Sequence, residues 1–365
     1  MSHDHATRLK RAAEEAATSG LEALLIAPSA DLLYLTGYDP PPLERLTALI
    51  VRPAGEPVLL VPELERPRAL NSPGADLLDI RSWRDGEDPY EAVRRIVSAA
   101  GTYGVADRMW ASHLLGLEGT LPGARFLPAS RTLSRLRARK DESEVALLAR
   151  AARSADEAFR RICREGLEGR AEEDVARSLA RHITESGHDA AAFTIVASGP
   201  NGASPHHEPG GRGIREGDAV VLDFGGRVGG YCSDVSRTVC VGTPTEELRE
   251  VHEIVRESQQ AAFAAVRPGV PAEEVDAAAR EVIDDAGYGD AFLHRTGHGI
   301  GLEEHEDPYL VAGNGEPLDV GMCFSIEPGI YLEGRFGVRI EDIVTVTPGG
   351  GLRLNSANRE LASVM

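Results

Sequence analysis

The chain has 365 residues, enough for two domains at about 150 residues each, and its 42% hydrophobic and 27% charged residues are typical of a globular protein. Its 39 basic and 58 acidic residues give a formal net charge of −19, which disfavours nucleic acid and anionic membranes as partners. The sequence contains no uninterrupted apolar run of about 18 residues, so no membrane span is expected. The four cysteines lack CxxC spacing and indicate reduced thiols in the cytoplasm.

The first part of the chain, residues 1–135, is predicted to form an α/β domain of its own. Its patterns are two single strands, one hairpin and one helix, in the order "EALLIAP" (22–28, strand), "LTALIVR" and "EPVLLVPE" (46–63, hairpin), "ADLLDI" (75–80, strand) and "DPYEAVRRIVSAAG" (88–101, helix). Between them, "GYDPPPLER" (37–45) is a proline-stiffened loop, because proline lacks the amide hydrogen that a central strand needs.

Residues 136–365 are predicted to form a second domain with an internal repeat. A long helix begins after Asp141, which has the capping-box spacing to Glu144. The segment 169–190 resembles the segment 269–291, and both are predicted helices that end at a glycine. Each copy follows a longer helix and leads into an apolar strand and a hairpin with two acidic residues. The sequence therefore predicts a pseudo-twofold α/β domain.

The two hairpins carry one pair of acids each. Aligning Ala171 with Ala272 places Glu327 at the position of Asp223, and Glu341 corresponds to Asp234 in the same way. The first pair is centred within "GGRVGG" (225–230), and the second pair is centred on Gly334. We therefore expect the members of each pair to be cross-strand neighbours, with Cβ atoms about 5 Å apart.

Four converging carboxylates require a counter-charge. One pair alone could be an acid dyad that shares a proton, but two related pairs favour two metal ions about 3.5–4 Å apart. "FLHRTGHGIGLEEHEDP" (292–308) lies between the acid pairs and contains three histidines, His294, His298 and His305, any of which could supply the remaining ligand. The glycines beside His298 would let the backbone approach a metal. A phosphate-binding loop is the alternative for these glycines, but the lysine of such a loop is missing.

These residues resemble the pita-bread metallopeptidases, which include methionine aminopeptidase, aminopeptidase P and prolidase. The resemblance covers residues 140–355 and is carried by the four acids and His298, in this order along the chain, together with "TGHGIGL" (296–302), "SIEPGIY" (325–331) and "VRIEDIV" (338–344). The first domain resembles the N-terminal domain of the prolidase, aminopeptidase P and creatinase branch. The implied fold is α/β (α+β), with a creatinase/prolidase-like domain before a pseudo-twofold pita-bread domain.

The resemblance implies a role for each ligand. Asp223 chelates one ion, Asp234 and Glu341 bridge both ions, and His298 and Glu327 complete the other. Glu327 also handles the proton of the attacking water, first as base and then as acid. Oxygen ligands with a single imidazole favour manganese, with cobalt or zinc as alternatives.

Further residues are implied to bind or orient the substrate. His206, His294 and His305 match histidines that grip the substrate and the developing oxyanion. His206 is preferred to His207 because it directly follows Pro205, although a shift of one residue remains open. Two other matches lie near the metals, Tyr331 and Arg339, and the arginine is expected to pair with a ligand carboxylate.

Members with this N-terminal domain cleave before proline, so proline-containing dipeptides or short peptides are the expected substrates. A dipeptidase needs a cation for the substrate carboxylate, but "HEDPYLVAGNGEPLD" (305–319) lacks the arginine that some prolidases have there. Arg45, in the loop 37–45, is our hypothesis for that cation, and a surface arginine is the alternative.

The sequence thus favours a cytoplasmic metallopeptidase of the Xaa-Pro dipeptidase type, and the family resemblance implies a homodimer. Xaa-Pro aminopeptidase activity is the nearest alternative. Two other classes remain open, namely a metal-free hydrolase of the creatinase type and a non-catalytic binding module.

Overall fold

The computed structural model describes residues 4–365, which divide into two compact units. The first unit extends to Arg137, and the second extends from Ala138 to Met365. Within the described residues, no helix combines the length and the apolar character that crossing a bilayer requires.

The first unit contains a six-stranded mixed sheet with the strand order β4-β3-β2-β1-β5-β6. The strands are β1 (Ala23–Ile26), β2 (Ala48–Val51), β3 (Val58–Pro62), β4 (Asp79–Trp83), β5 (Thr102–Val105) and β6 (Arg125–Pro128). The helices are α1 (His5–Thr18), α2 (Ala30–Thr36), α3 (Arg66–Leu70), α4 (Pro89–Arg94), α5 (Ala111–Thr120) and α6 (Ser130–Ala138).

The hairpin prediction in this unit is confirmed, because β2 and β3 pair antiparallel, and residues 37–45 contain no strand. Two boundaries were wrong. In "ADLLDI", residues 75–77 form a 3-10 turn and only the last two residues enter β4. The helix predicted over 88–101 ends at Arg94, because the β-branched Ile96 and Val97 favour helix less and pack against the sheet core as irregular turns.

The second unit contains four helices and two main sheets. The helices are α7 (Glu142–Glu165), α8 (Glu172–Glu185), α9 (Glu246–Ala265) and α10 (Ala272–Asp285). The first sheet has the order β18-β10-β8-β7, with β9 paired to β8, and its strands are β7 (Ala190–Ser198), β8 (Ala219–Val228), β9 (Tyr231–Cys232), β10 (Val235–Val241) and β18 (Ala362–Val364).

The second sheet has the order β12-β11-β13-β16-β17, and a separate hairpin pairs β14 with β15. These strands are β11 (Gly297–Gly299), β12 (Glu306–Leu310), β13 (Cys323–Ile326), β14 (Gly329–Leu332), β15 (Phe336–Arg339), β16 (Asp342–Thr347) and β17 (Gly350–Arg353). Apolar side chains of α7, α8 and the first sheet form one core cluster, and those of α9, α10 and the second sheet form another.

The internal repeat is present in the structure, but its second copy begins one residue earlier than the sequence alignment of Ala171 with Ala272 suggested. Ala171 and Pro271 are the N-caps of α8 and α10, and each makes an isolated bridge to a loop of its own half. Pro271 therefore corresponds to Ala171, and Ala272 to the following residue. The long helix α7 begins with the predicted capping box of Asp141 and Glu144.

The first acid pair is not directly cross-strand, contrary to the sequence prediction. Asp223 in β8 pairs with Ser236 in β10, and Asp234 lies between β9 and β10. Because side chains two residues apart on a strand share a face, Asp234 is a diagonal neighbour of Asp223.

The cause of this shift is the turn. Gly229 and Gly230 have φ angles of 57° and 87° and connect Val228 to its partner Tyr231. Positive φ at both central residues is typical of the two-residue hairpin turns whose twist matches that of the strands. The glycine pair thus moves the hairpin centre toward the C-terminus.

The second acid pair has the predicted register. Ile326 pairs with Asp342 in β13 and β16, and Gly329 pairs with Arg339 in β14 and β15. Between these two pairs, the register places Glu327 opposite Glu341.

The turn makes a testable contribution to stability. We expect Gly230→Ala to lower the free energy of unfolding by about 1–2 kcal/mol, because a Cβ atom is disfavoured in the left-handed region. Gly119→Ala, in helix α5 with open space around it, is the control and is expected to be neutral or stabilising by up to about 1 kcal/mol. Urea denaturation measures both, and an unchanged midpoint for Gly230→Ala would contradict the argument.

Candidate metal centre

All five predicted metal ligands line one cavity of about 860 Å³ in the second unit. Each lies on or beside a strand, in the order Asp223 (in β8), Asp234 (before β10), His298 (in β11), Glu327 (after β13) and Glu341 (before β16). Strand backbone holds such side chains more rigidly than a free loop would.

Three of the five are already close enough to share one ion. The ligand atoms of Asp234, His298 and Glu341 lie within 4.8 Å of one another. His298 Nε2 is 3.1 Å from Glu327 Oε1 and 3.8 Å from Asp234 Oδ2. The cluster therefore combines carboxylate oxygens with a single imidazole nitrogen.

The carboxylates present oxygens that the protein does not satisfy. Asp223 Oδ1, Asp234 Oδ1 and Glu341 Oε1 are buried and have no hydrogen-bond partner among residues 4–365. In two of these acids the second oxygen is held, since Arg339 donates to Asp223 Oδ2 and Ser236 Oγ donates to Glu341 Oε2 at 2.9 Å. Buried acceptors without donors are unfavourable unless a cation meets them, so this donor set fits hard divalent ions.

The electrostatics lead to the same requirement. Burial raises the pKa of Asp234 well above its usual range, and the charges of Glu341, Asp223 and Glu327 raise it further. Burial also raises the pKa of Glu341, again with help from the neighbouring carboxylates. Ionising both groups at neutral pH therefore requires added positive charge.

Glu327 differs from its neighbours. Burial by itself would raise its pKa, but the hydrogen bond and charge of His298, together with the charges of His294 and Arg339, lower it to about 2. Ser325 Oγ also donates to Glu327 Oε1 at 3.0 Å. Glu327 is thus ionised at neutral pH.

The imidazole of His298 is oriented by the backbone. Its Nδ1 donates to the carbonyl oxygen of Gly299 at 3.1 Å, which directs Nε2 to the cavity. The glycines that flank His298 were expected to let the backbone approach a metal, but in the structure they permit close contact between strands. A side chain at Gly297 or Gly299 would overlap the carbonyl oxygen of Ser325 or Asp307, so these glycines let β11 approach its neighbouring strands.

A buried hydrogen-bond chain connects His294 to the acid cluster. Tyr331 Oη donates to His294 Nε2 at 2.8 Å and accepts from Arg339 Nη1 at 2.9 Å, and Arg339 also holds Asp223. Burial lowers the pKa of His294 and raises that of Tyr331 to about 12. At pH 7 the imidazole and the phenol are therefore both neutral.

The other predicted histidines also line the cavity. His206 is at its wall, whereas His207 Nε2 contacts the carboxylate of Glu172 at 2.8 Å. The ring centroid of His305 is 4.1 Å from that of His298. Whether His206, His294 and His305 contact substrate stays a prediction.

Glu172 was not singled out from the sequence, where an acid in the first turn of a helix is unremarkable. Its fully buried carboxylate accepts from Ser198 N at 2.8 Å, Ser198 Oγ at 2.6 Å and Asn201 Nδ2 at 3.0 Å, as well as contacting His207. It thereby anchors the turn that leads to His206. Only the fold brings these donors to one acid.

Arg45 lies in the first unit, where its guanidinium is engaged. It donates to both carboxylate oxygens of Asp85, at 2.9 and 3.0 Å, and to Glu44 at 2.6 Å. Its proposed contact with substrate stays a prediction, and that contact would have to compete with these carboxylates.

Comparison with protein families identifies both parts of the chain. Residues 146–348 match the model of metallopeptidase family M24, and residues 8–139 match the creatinase/prolidase N-terminal domain. The family match and the carboxylate-rich cavity agree on a centre for divalent metal ions.

Individual relatives are similar over nearly their full length. A probable dipeptidase PepE of Mycobacterium tuberculosis is 46% identical over 99% of this chain and 96% of its own. The Xaa-Pro dipeptidase of Lactobacillus helveticus is 40% identical over 90% and 91%, respectively. The crystal structure of a prolidase from Thermococcus sibiricus matches with a TM-score of 0.93 and 40% identity, covering all of both chains.

The anchoring role of Glu172 can be tested by stability. We expect Glu172→Ala to lower the free energy of unfolding by about 3 kcal/mol or more, because several buried donors lose their acceptor. Glu172→Gln, which keeps the size and one acceptor oxygen, should lose less. Glu173→Ala, at the exposed neighbouring position, is the control. Equal unfolding midpoints for the two alanine variants in urea would show that Glu172 anchors nothing.

Proposed function

The chain belongs to metallopeptidase family M24, and we propose that it hydrolyses the bond before proline in Xaa-Pro dipeptides, with Xaa-Pro aminopeptidase activity as the second candidate. The observation that carries the proposal is the cluster of buried carboxylates with unsatisfied oxygens beside one imidazole. The names of the similar proteins, a probable dipeptidase and an Xaa-Pro dipeptidase, support the choice of a dipeptide substrate.

We propose two divalent ions as cofactors, with manganese favoured and cobalt or zinc as alternatives. Asp223, Asp234, His298, Glu327 and Glu341 would hold them. When bound, such ions lower the pKa of a water molecule and polarise the scissile carbonyl.

The chain's own residues then move the proton and orient the substrate. Glu327, ionised at neutral pH, accepts a proton from the attacking water and returns it to the leaving proline nitrogen. The neutral His294, held by Tyr331, together with His206 and His305, orients the carbonyl group. Arg339 keeps Asp223 in place through their ion pair.

We further propose that the protein is a cytoplasmic homodimer. The four free cysteines support a reducing compartment. The dimer rests on the family resemblance alone.

Metal removal tests the proposed chemistry. We expect purified protein to bind about two equivalents of divalent metal, chelator to abolish hydrolysis of Xaa-Pro dipeptides, and Mn²⁺ to restore it. Elemental analysis and a panel of Xaa-Pro dipeptides and Xaa-Pro-Yaa tripeptides provide the measurements. Full activity in excess chelator would instead favour a metal-free hydrolase, and metal binding without any hydrolysis would favour a binding module.

The role of Arg45 has its own test. If Arg45 binds the dipeptide carboxylate, Arg45→Ala lowers kcat/KM for Xaa-Pro by about tenfold or more and affects Xaa-Pro-Yaa less, because the longer peptide carries its charge elsewhere. Asp85→Ala is the matched control, since it removes the present partner of Arg45 while keeping the guanidinium. Equal losses of Arg45→Ala on both substrates would rule out the hypothesis.

A further inference from the structure

Two arginines line the metal cavity, and they differ in their partners. Arg339 is buried and satisfied by Asp223, Tyr331 and Ser236. The side chain of Arg295, by contrast, has no hydrogen bond or ion pair with any residue of the described part of the chain, 4–365. The guanidinium of Arg295 thus lies at the cavity wall without being paired to a carboxylate of the described residues.

An aromatic ring holds this guanidinium. The Cζ atom of Arg295 lies 4.4 Å from the ring centroid of Tyr309. Tyr309 is in β12, where it pairs across the strands with His298 in β11. A guanidinium that rests on an aromatic face keeps its N–H groups available at the edge. The strand pairing therefore places a cation with free donors beside the metal centre.

The acids that line the cavity have partners other than Arg295. Glu304 also lines the cavity, but its carboxylate is 3.6 Å from Arg227. The metal-site carboxylates are occupied by Arg339, by His298 and, in the proposed enzyme, by divalent ions. An anion recognised by Arg295 must consequently come from the ligand.

A dipeptide supplies such an anion at the correct place. In Xaa-Pro the free carboxylate belongs to the residue directly after the scissile bond, so its charge enters the cavity, whereas a longer peptide carries that charge further away. The cavity wall also offers apolar side chains that suit a proline ring, namely Phe193, Ile195, Leu293 and Val311.

We propose that Arg295 binds the carboxylate of the dipeptide through two parallel N–H···O bonds and thereby sets the preference for dipeptides over longer substrates. The inference rests on the proposed peptidase function and names the residue that would select dipeptides by their free carboxylate. It assigns to Tyr309 the role of orienting the guanidinium.

The experiment compares a substrate with and without its carboxylate charge. The Mn²⁺-loaded full-length enzyme is assayed on Ala-Pro, Ala-Pro-amide and Ala-Pro-Ala. For wild type we expect the highest kcat/KM on Ala-Pro. For Arg295→Ala we expect the ratio of Ala-Pro to Ala-Pro-amide to fall about 30-fold, which corresponds to about 2 kcal/mol at 1.4 kcal/mol per factor of ten.

Two further variants keep the result interpretable. Arg295→Lys retains the charge but lacks the planar fork, so it should retain part of the ratio, and Arg295→Gln should lose it like alanine. Arg335→Ala is the matched control, because Arg335 pairs with Glu247 on the surface near Phe336 and should leave the ratio unchanged.

The outcomes separate this inference from the proposed function. A wild-type enzyme that cleaves none of the three substrates refutes the peptidase proposal itself. An active wild type whose ratio survives in Arg295→Ala, or whose Ala-Pro and Ala-Pro-amide activities fall equally, refutes only the role of Arg295. Loss of the ratio in Arg45→Ala but not in Arg295→Ala would assign the carboxylate to the loop arginine instead.

Discussion

The mutual repulsion of buried carboxylates is the constraint on which the second unit is built. Asp223, Asp234 and Glu341 would separate unless the surrounding backbone held them together. Because they are held, burial and the neighbouring carboxylates raise the pKa of Asp234 and of Glu341. Buried arginines provide part of that restraint. Arg339 binds Asp223 directly, and the fully buried Arg237 donates to the carbonyl oxygen of Glu341 at 2.5 Å and to that of Ser236 at 2.9 Å. The fold thus fixes the acids through backbone as well as side chain, and their free oxygens remain for cations.

The internal repeat provides the geometry for this arrangement. Each half contributes an acid-bearing hairpin, and in each half an acid from the second helix anchors a segment that carries a site histidine. In the first half Glu172 holds the turn before His206. In the second half Asp276 Oδ1 accepts from the amide and hydroxyl groups of Thr296, at 3.0 and 2.7 Å, two residues before His298. The two anchors are not equivalent positions in the repeat, so the same restraint is achieved by different residues.

The sequence was sufficient for the fold class and for choosing the four acids and the histidine that the structure brings to one cavity, because both depend on local patterns and on the repeated order of acids. The α/β class with an N-terminal creatinase/prolidase-type domain is confirmed by the family matches. The register predicted for the first hairpin was wrong because the true register depends on the φ angles of Gly229 and Gly230, which the spacing of the aspartates does not reveal. Glu172 escaped notice because its donors are 26 or more residues away in the chain.

The proposed substrate-binding arginine also depends on contacts that the order of the sequence does not show. The segment 305–319 contains no arginine, so the sequence alone led to a candidate in another part of the chain, Arg45. In the folded protein, Tyr309 of this segment contacts the guanidinium of Arg295, which enters from the adjacent antiparallel strand region. Neighbours across antiparallel strands come from different sequence positions, so a charge can be kept in a cavity although the residue that carries it moves to another strand. The position of Arg295 in the sequence therefore does not reveal that its guanidinium lies over Tyr309 and at the cavity wall.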